Sequence, residues 1–539
     1  MRGFFPFLIL CSFSVAFGGT SPAGFPTRHE SFADAAQVPS DVSLFIHLAD
    51  AKQWRKELTR RPLGRWWRGL FEDGSIGRAW GELSQKADLE GGQLFDMVFG
   101  RQVTLVARNS ASHLRRQEGG VFQNMEEWAL IVRPDAIPIA GVLSSLRLRH
   151  HPPRHGLSVG ELPEQQFLIA FDGERLVVGP SLHPVLFDEV LARMEAPQVG
   201  SLEDSESFTM LRDRLQPGRI GIFLRHESPV GGWSALSGDL KGEVIKLRMA
   251  GKYDHSPFQR SRTKLVWNDG LLEAFASRSL AAFVEPTDIG AGPAETFMEV
   301  AIGRPFLCDD LRENPGNTRL IAVGEVEGRR ESPPVDLSLP SISFVVEAKN
   351  ANDDLERRID SHMIGLARVL PSLVPTAGVI TLPLLDDLKR GTNRHINLAP
   401  VMHTFAEGMP QLEHISLNWR LVRSECGDYF VGSTHPVWLE ETVKTVCRAR
   451  KNQGESGRWT NCGVMNGVQL SAHLRSYSDQ PEALVEESDA ASFRNTMRVM
   501  SELAAGVKQC RWRLSRPSDN EVEVKLKIIL SPPDSTSEN

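Results

Sequence analysis

The chain has 539 residues, of which 41% are hydrophobic, 24% charged and 7% aromatic, with a net charge of −7. That apolar content excludes a disordered chain, and 45 Gly and 33 Pro without a period exclude collagen-like and low-complexity architectures. At roughly 100–200 residues per domain the length implies more than one core, and so small a net charge gives no global pull toward nucleic acid or anionic membrane.

The N-terminus opens with Arg2 and an uncharged run over 4–17, ending in the small residues Ser14, Ala16 and Gly18. This is the pattern of a secretory signal peptide over 1–18, because the apolar run is too short to span a bilayer. The expected localisation is export, to the periplasm or the medium. Residues 19–37 read as a flexible linker. No transmembrane span is expected after cleavage: the uncharged stretch 369–385 is interrupted by Pro371, Pro375 and Pro383.

After the first strand candidate at 42–48, residues 52–68 hold seven cations against one acid, Glu57, a local net charge of +6. Trp54, Trp66 and Trp67 are interleaved with them. Arginine beside tryptophan binds acidic groups through forked hydrogen bonds and stacking, which makes Arg65, Trp66, Trp67 and Arg68 the candidate binding residues. The alternative is two amphipathic helices broken at Pro62, with the aromatics in the core and the arginines in water. Further on, His150, His151 and His155 offer imidazoles, but Pro152 and Pro153 predict an extended exposed loop, and no metal site is assigned.

The later elements read as short alternating strands separated by turns, such as Asp172-Gly173 and Asn268-Asp269-Gly270, with helices between hairpins. The segments 510–514 and 522–530 read as one more strand pair around a turn at 517–520. Antiparallel α+β is therefore expected rather than a doubly wound parallel sheet. Five cysteines lie in the second half: Cys308, Cys426, Cys447, Cys462 and Cys510. They permit two disulfides and one free thiol, with connectivity open.

Internal similarity organises the rest. Residues 176–190 (LVVGPSLHPVLFDEV) and 429–443 (YFVGSTHPVWLEETV) share a strand, a Gly, a small hydroxyl residue, His-Pro and an acidic helix start. Proline suits the first helical position, which places His183 and His435 at the N-cap and gives them a structural role. Matching strand candidates follow in the same order: 42–48 with 280–285, 102–107 with 319–323, 128–132 with 342–347, 166–171 with 414–419, and 219–225 with 468–475. The chain thus reads as two related α+β domains, each an antiparallel sheet with interspersed helices, over 38–268 and 269–530, with a disordered tail at 531–539.

This order, with 38–46 (VPSDVSLFI), 100–106 (GRQVTLV) and Val178-Gly179, resembles an uncharacterised family of exported bacterial proteins with a duplicated domain of unknown function, frequent in planctomycete-type bacteria. The resemblance implies export and duplication and brings no catalytic residues. No nucleophile elbow, zinc-protease helix, phosphate loop or dinucleotide fingerprint occurs. The pattern at Ser261-Arg-Thr-Lys264 lacks its usual companions. The expected function is a non-catalytic cell-envelope protein that binds or scaffolds another envelope protein or an acidic polymer, without nucleic acid or cofactor. The alternatives are a hydrolase or an apolar-ligand carrier with its site between the two halves.

Overall fold

A computed structural model of the chain describes residues 30–59, 61, 84–85, 90–108, 127–134, 148–162, 166–196, 200–226, 231–254, 269–276, 278–286, 307–312, 318–324, 340–348, 352–373, 382, 392–398, 416–424, 427–448, 459–481, 485, 487–518 and 520–532. It divides into two compact units: 1–257 with 517–539, and 258–516. Every named strand pairs antiparallel, and helices are interspersed, so the fold is α+β.

In the first unit, two 3-10 turns over Glu30–Phe32 and Ala35–Gln37 precede β1 (Leu44–Ala49), α1 (Ala51–Thr59), α2 (Gly91–Phe99), β2 (Gln102–Arg108) and β3 (Glu127–Arg133). Then come β4 (Arg149–Arg154), β5 (Leu157–Leu162), β6 (Phe167–Phe171), β7 (Leu176–Pro180), α3 (Val185–Glu195) and α4 (Glu206–Arg212). The run closes with β8 (Ile220–Arg225), β9 (Trp233–Lys241) and β10 (Val244–Lys252). The second unit contains α5 (Asp269–Ala276), β11 (Ala281–Pro286), α6 (Asp309–Arg312), β12 (Thr318–Gly324), β13 (Ser341–Glu347), α7 (Asp353–Leu373), β14 (Arg394–Asn397) and β15 (Ser416–Ser424). It continues with β16 (Gly427–Ser433), α8 (Pro436–Arg448), β17 (Trp459–Asn466), α9 (Gly467–Asp479), α10 (Glu487–Ala505) and β18 (Val507–Ser515). The final strand, β19 (Glu521–Leu530), belongs to the first unit.

The ladders give the first unit the order β4-β5-β6-β7-β3-β2-β1-β8-β9-β10-β19. In the second unit the order is β14-β15-β16-β13-β12-β11-β17-β18. From β5 to β9 and from β14 to β18, each strand holds the same place in its unit. α3 follows β7 as α8 follows β16.

Alternation explains the layers. In the first unit, Phe45, Val106, Ile131, Val177 and Phe223 point to one face and pack on Leu186, Phe187, Val190 and Leu191 of α3 and Phe208 and Leu211 of α4. In the second unit, Val284, Leu320, Val345 and Val431 pack on Phe275 of α5 and on Trp438, Leu439 and Val446 of α8. Its other face, with Val346, Trp419 and Phe430, packs on Leu355, Ile359 and Met363 of α7.

Several readings change. Residues 30–37 are not a linker where they are described: Ser31, Asp34 and Ala35 are fully buried and Phe32 nearly so. β19 lies in the first unit, not the second, because its ladder runs to β10, whereas β18 pairs with β17. Asp269-Gly270 opens a helix instead of a turn. Residues 468–475 are helical, and the place of β8 in the second unit is taken by β17. The Asp172-Gly173 turn holds, with Gly173 at φ +96 and the Asp172 carboxylate accepting from the Glu174 and Arg175 amides.

Candidate functional site

The binding residues expected from sequence, Arg65, Trp66, Trp67 and Arg68, lie outside the described residues, as does Ser261-Arg-Thr-Lys264. The described start of that basic segment is built into the first unit. Trp54 is fully buried in α1, with the Arg219 guanidinium 5.9 Å from its ring centre. Arg55 clasps Asp96 of α2 with two 2.7 Å hydrogen bonds. Arg61 is buried and donates to the Ser531 carbonyl at 2.8 Å.

The histidines separate. His150 and His151 lie on strand β4, not on a loop; His151 Nε2 is 2.9 Å from Glu161, and His155, in the left-handed region at φ +48, lies 3.7 Å from Glu195. Among the described residues no group of three His, Cys, Asp or Glu side chains is arranged to hold a metal. His435 is buried and its Nδ1 accepts from the Val437 amide, capping α8. His183 is exposed, because Pro184 itself occupies the N-cap of α3.

Among the described residues, two buried polar centres that sequence reading did not single out bring chemistry-bearing side chains together. In the first unit, Asp34 sits over one face of the sheet. His47 of β1, Thr104 and Gln102 of β2 and Arg133 of β3 occupy neighbouring positions on that face. Thr104 Oγ1 donates to Asp34 Oδ2 at 2.5 Å, and Gln102 Nε2 donates to the same oxygen at 2.5 Å. Arg133 reaches Oδ1 at 3.4 Å. Because the threonine proton goes to the carboxylate, His47 Nδ1–H must be the donor across the 2.7 Å contact to Thr104 Oγ1.

This is the wrong order for nucleophile activation. A triad places imidazole between hydroxyl and carboxylate so that the imidazole takes the hydroxyl proton. Here the hydroxyl stands in the middle and Asp34, His47 and Thr104 are all fully buried. The centre holds the 30–37 segment on the sheet, where Gly221 leaves room for the Ser31 carbonyl; a Cβ there would overlap it.

In the second unit, Glu356 and Asp360 are one turn apart on α7 and so share a face. Arg394 of β14 donates to Glu356 at 2.7 Å and to Asp360 at 3.2 and 3.3 Å. The Trp419 indole donates to Asp360 at 2.7 Å. Paired carboxylates suit acid–base chemistry when they face a substrate, but these three ionic side chains are less than a tenth exposed and a guanidinium lies between the acids. The arrangement fixes α7 to β14 and β15.

A third node joins α3 to the strands. Arg108 donates to Glu189 (2.7 Å), Asp41 (2.8 Å) and Glu127 (3.2 Å). Burial works against its charge, but the three carboxylates outweigh that and raise its pKa. No disulfide joins any two of Cys308, Cys447, Cys462 and Cys510; Cys426 lies outside the described residues. Burial pushes the Cys510 thiol up to about 12.

A signal for the two centres was available in sequence. Asp34 interrupts a run of small and apolar residues, and Glu356 and Asp360 lie next to the buried Leu355 and Ile359 on one helical stripe.

No protein-family model matches this chain, and no curated protein does. Among solved structures, crystal form III of TP0453, a Treponema protein, aligns with 40% of this chain and 78% of its own length, at 9% identity and a TM-score of 0.25.

No helix among the described residues is long and apolar enough to cross a membrane.

Proposed function

We propose that this chain is an exported, non-catalytic component of a bacterial cell envelope, built from two related α+β domains, which binds or scaffolds another envelope protein or an acidic polymer. The observation that supports the two related domains of this reading is the shared strand order of the two units. Eight strands hold corresponding places, and five of those pairs, β1 with β11, β2 with β12, β3 with β13, β6 with β15 and β7 with β16, are ones the sequence similarities matched. The proposed kinship with exported bacterial proteins bearing a duplicated domain rests on the same correspondence.

The polar centres support a binding role over a catalytic one. Asp34, His47 and Thr104 in the first unit, and Arg394, Glu356 and Asp360 in the second, are buried and bonded to one another. A hydrolase needs such groups to converge at a surface that a substrate reaches.

The test is a cross-linking and fractionation experiment on the full chain expressed with its N-terminus intact. The processed protein is expected in the envelope fraction, cross-linked to a partner. Alanine at Arg65, Trp66, Trp67 and Arg68 together is expected to lower recovery of that partner at least about tenfold, in the range of interface hot spots. Cytoplasmic retention, or undiminished cross-linking by the variant, sinks the reading.

One observation favours the carrier reading as the second choice. On the first unit's other face, Ile169, Val178, Leu130, Leu105, Ile46, Ile222, Leu236 and Met249 stand opposite one another in register across eight strands. Native mass spectrometry of the purified protein separates the two readings: a carrier retains an apolar small molecule.

A further inference from the structure

The strand that completes the first unit comes from beyond the second unit in sequence, since the chain leaves the first unit at Pro257 and re-enters it at Pro517. β10 and β19 pair without interruption from Val244↔Ile529 to Lys252↔Glu521. The pattern of β19 fits this acceptor in one orientation. Val522, Val524, Leu526 and Ile528 lie opposite Gly251, Met249, Leu247 and Ile245, on the apolar face. Glu521, Glu523, Lys525 and Lys527 take the other face.

Two acids pin the register. Glu521 accepts from Arg214 at 2.7 Å, and Glu523 lies 3.6 Å from Arg248. A slip of one residue would turn the apolar set to the charged face. Lys525 stands opposite Arg248, and a slip of two would carry Glu523 away from that pair of cations and Glu521 away from Arg214. Backbone bonds close both ends: the Tyr253 amide donates to the Asn520 carbonyl and the Leu530 amide to the Glu243 carbonyl, each at 2.8 Å. Arg61 then grips the Ser531 carbonyl.

We infer that the edge of β10 is a strand-acceptor site, filled by this chain's own residues 521–530, and that the first unit closes only once the whole of the second unit has been synthesised. The occupant is defined by its chemistry: an extended segment with apolar residues at alternate positions, acids at its first and third positions and cations at its fifth and seventh. Until it arrives, β10 presents unpaired backbone donors and acceptors, the state in which a sheet edge recruits a strand. The inference rests on the ladder alone and stands whether or not the chain is exported.

The experiment is amide hydrogen exchange on the full chain carrying Leu526→Asp. Exchange over 244–252 is expected to accelerate at least about tenfold while β11, β12 and β13 keep their protection, as separate cooperative units do. A synthetic peptide of residues 517–532 with the native sequence, added in excess, is expected to restore protection over 244–252. Unchanged exchange there, equal loss in both units, or no restoration by the peptide overturns the inference. Glu523→Lys, which leaves the apolar face intact, is the milder variant. Its acceleration is expected to be confined to 244–252, and none at all is a second overturning result.

Discussion

At the scale of residues, the described charged groups of this protein are mostly fasteners. Arg394 is the clearest case, because one guanidinium neutralises two carboxylates that burial would otherwise make costly. Arg394→Met leaves Glu356 and Asp360 buried without their cation, and is expected to destabilise by about 3–5 kcal/mol. The triple variant Arg394→Met, Glu356→Leu, Asp360→Leu removes the charges together and is expected to recover to within about 1 kcal/mol of the parent. Urea unfolding of the three proteins checks both values; a triple variant no better than the single one would mean that the ions supply more than mutual neutralisation.

The same scale shows why these centres were missed in the sequence. A buried aspartate is written with the same letter as an exposed one, and the hydrogen-bond partners of Asp34 lie 68 to 99 residues away. His435 was legible because its neighbours are local: Pro436 fixes the helix start, and the Val437 amide is within reach of the ring.

At the scale of elements, strands with clean alternation were read correctly, since one face of each is buried. Residues 468–475 misled because Val468, Leu470, Ala472 and Leu474 also alternate. The buried set is instead Gly467, Ser471, His473, Leu474 and Ser478, which lie along one side of a helix, and the Asn466 side chain caps that helix by accepting from the Gln469 amide. β4 was read as a loop because of Pro152 and Pro153; its ladder with β5 carries a register shift between His151 and Arg154, where the prolines sit.

The 30–37 segment was read as a linker because it is too short for periodicity to show. Its place depends on Gly221, where a methyl group would overlap the Ser31 carbonyl. Gly221→Ala is therefore expected to cost roughly 1–3 kcal/mol as overpacking. It should also release the Asp34 contacts, read as faster proteolysis within 30–37. A variant as resistant as the parent would show that the segment is held by other means.

At the scale of the whole molecule, the first unit depends on residues separated by the entire second unit. Arg214's hydrogen bond holds the Glu521 carboxyl below its ordinary 4.5. As pH falls, the unfolded chain takes up this proton first. The pair's stabilisation is complete above pH 4.5 and is lost as pH drops through the lower folded-state value. The stability difference between the parent and Glu521→Gln should therefore shrink on acidification from about pH 6 to pH 3. A difference independent of pH would show that Glu521 contributes through packing alone.

The sequence by itself determined the α+β class and most strand positions, because alternation and proline placement act over a few residues. Only the tertiary structure decided that 30–37 is core, that β19 closes the first unit rather than the second, and that Asp34 and Arg394 are buried at the centres of polar networks. Those outcomes are set by contacts between residues far apart in the chain, where burial and pairing outweigh any local preference.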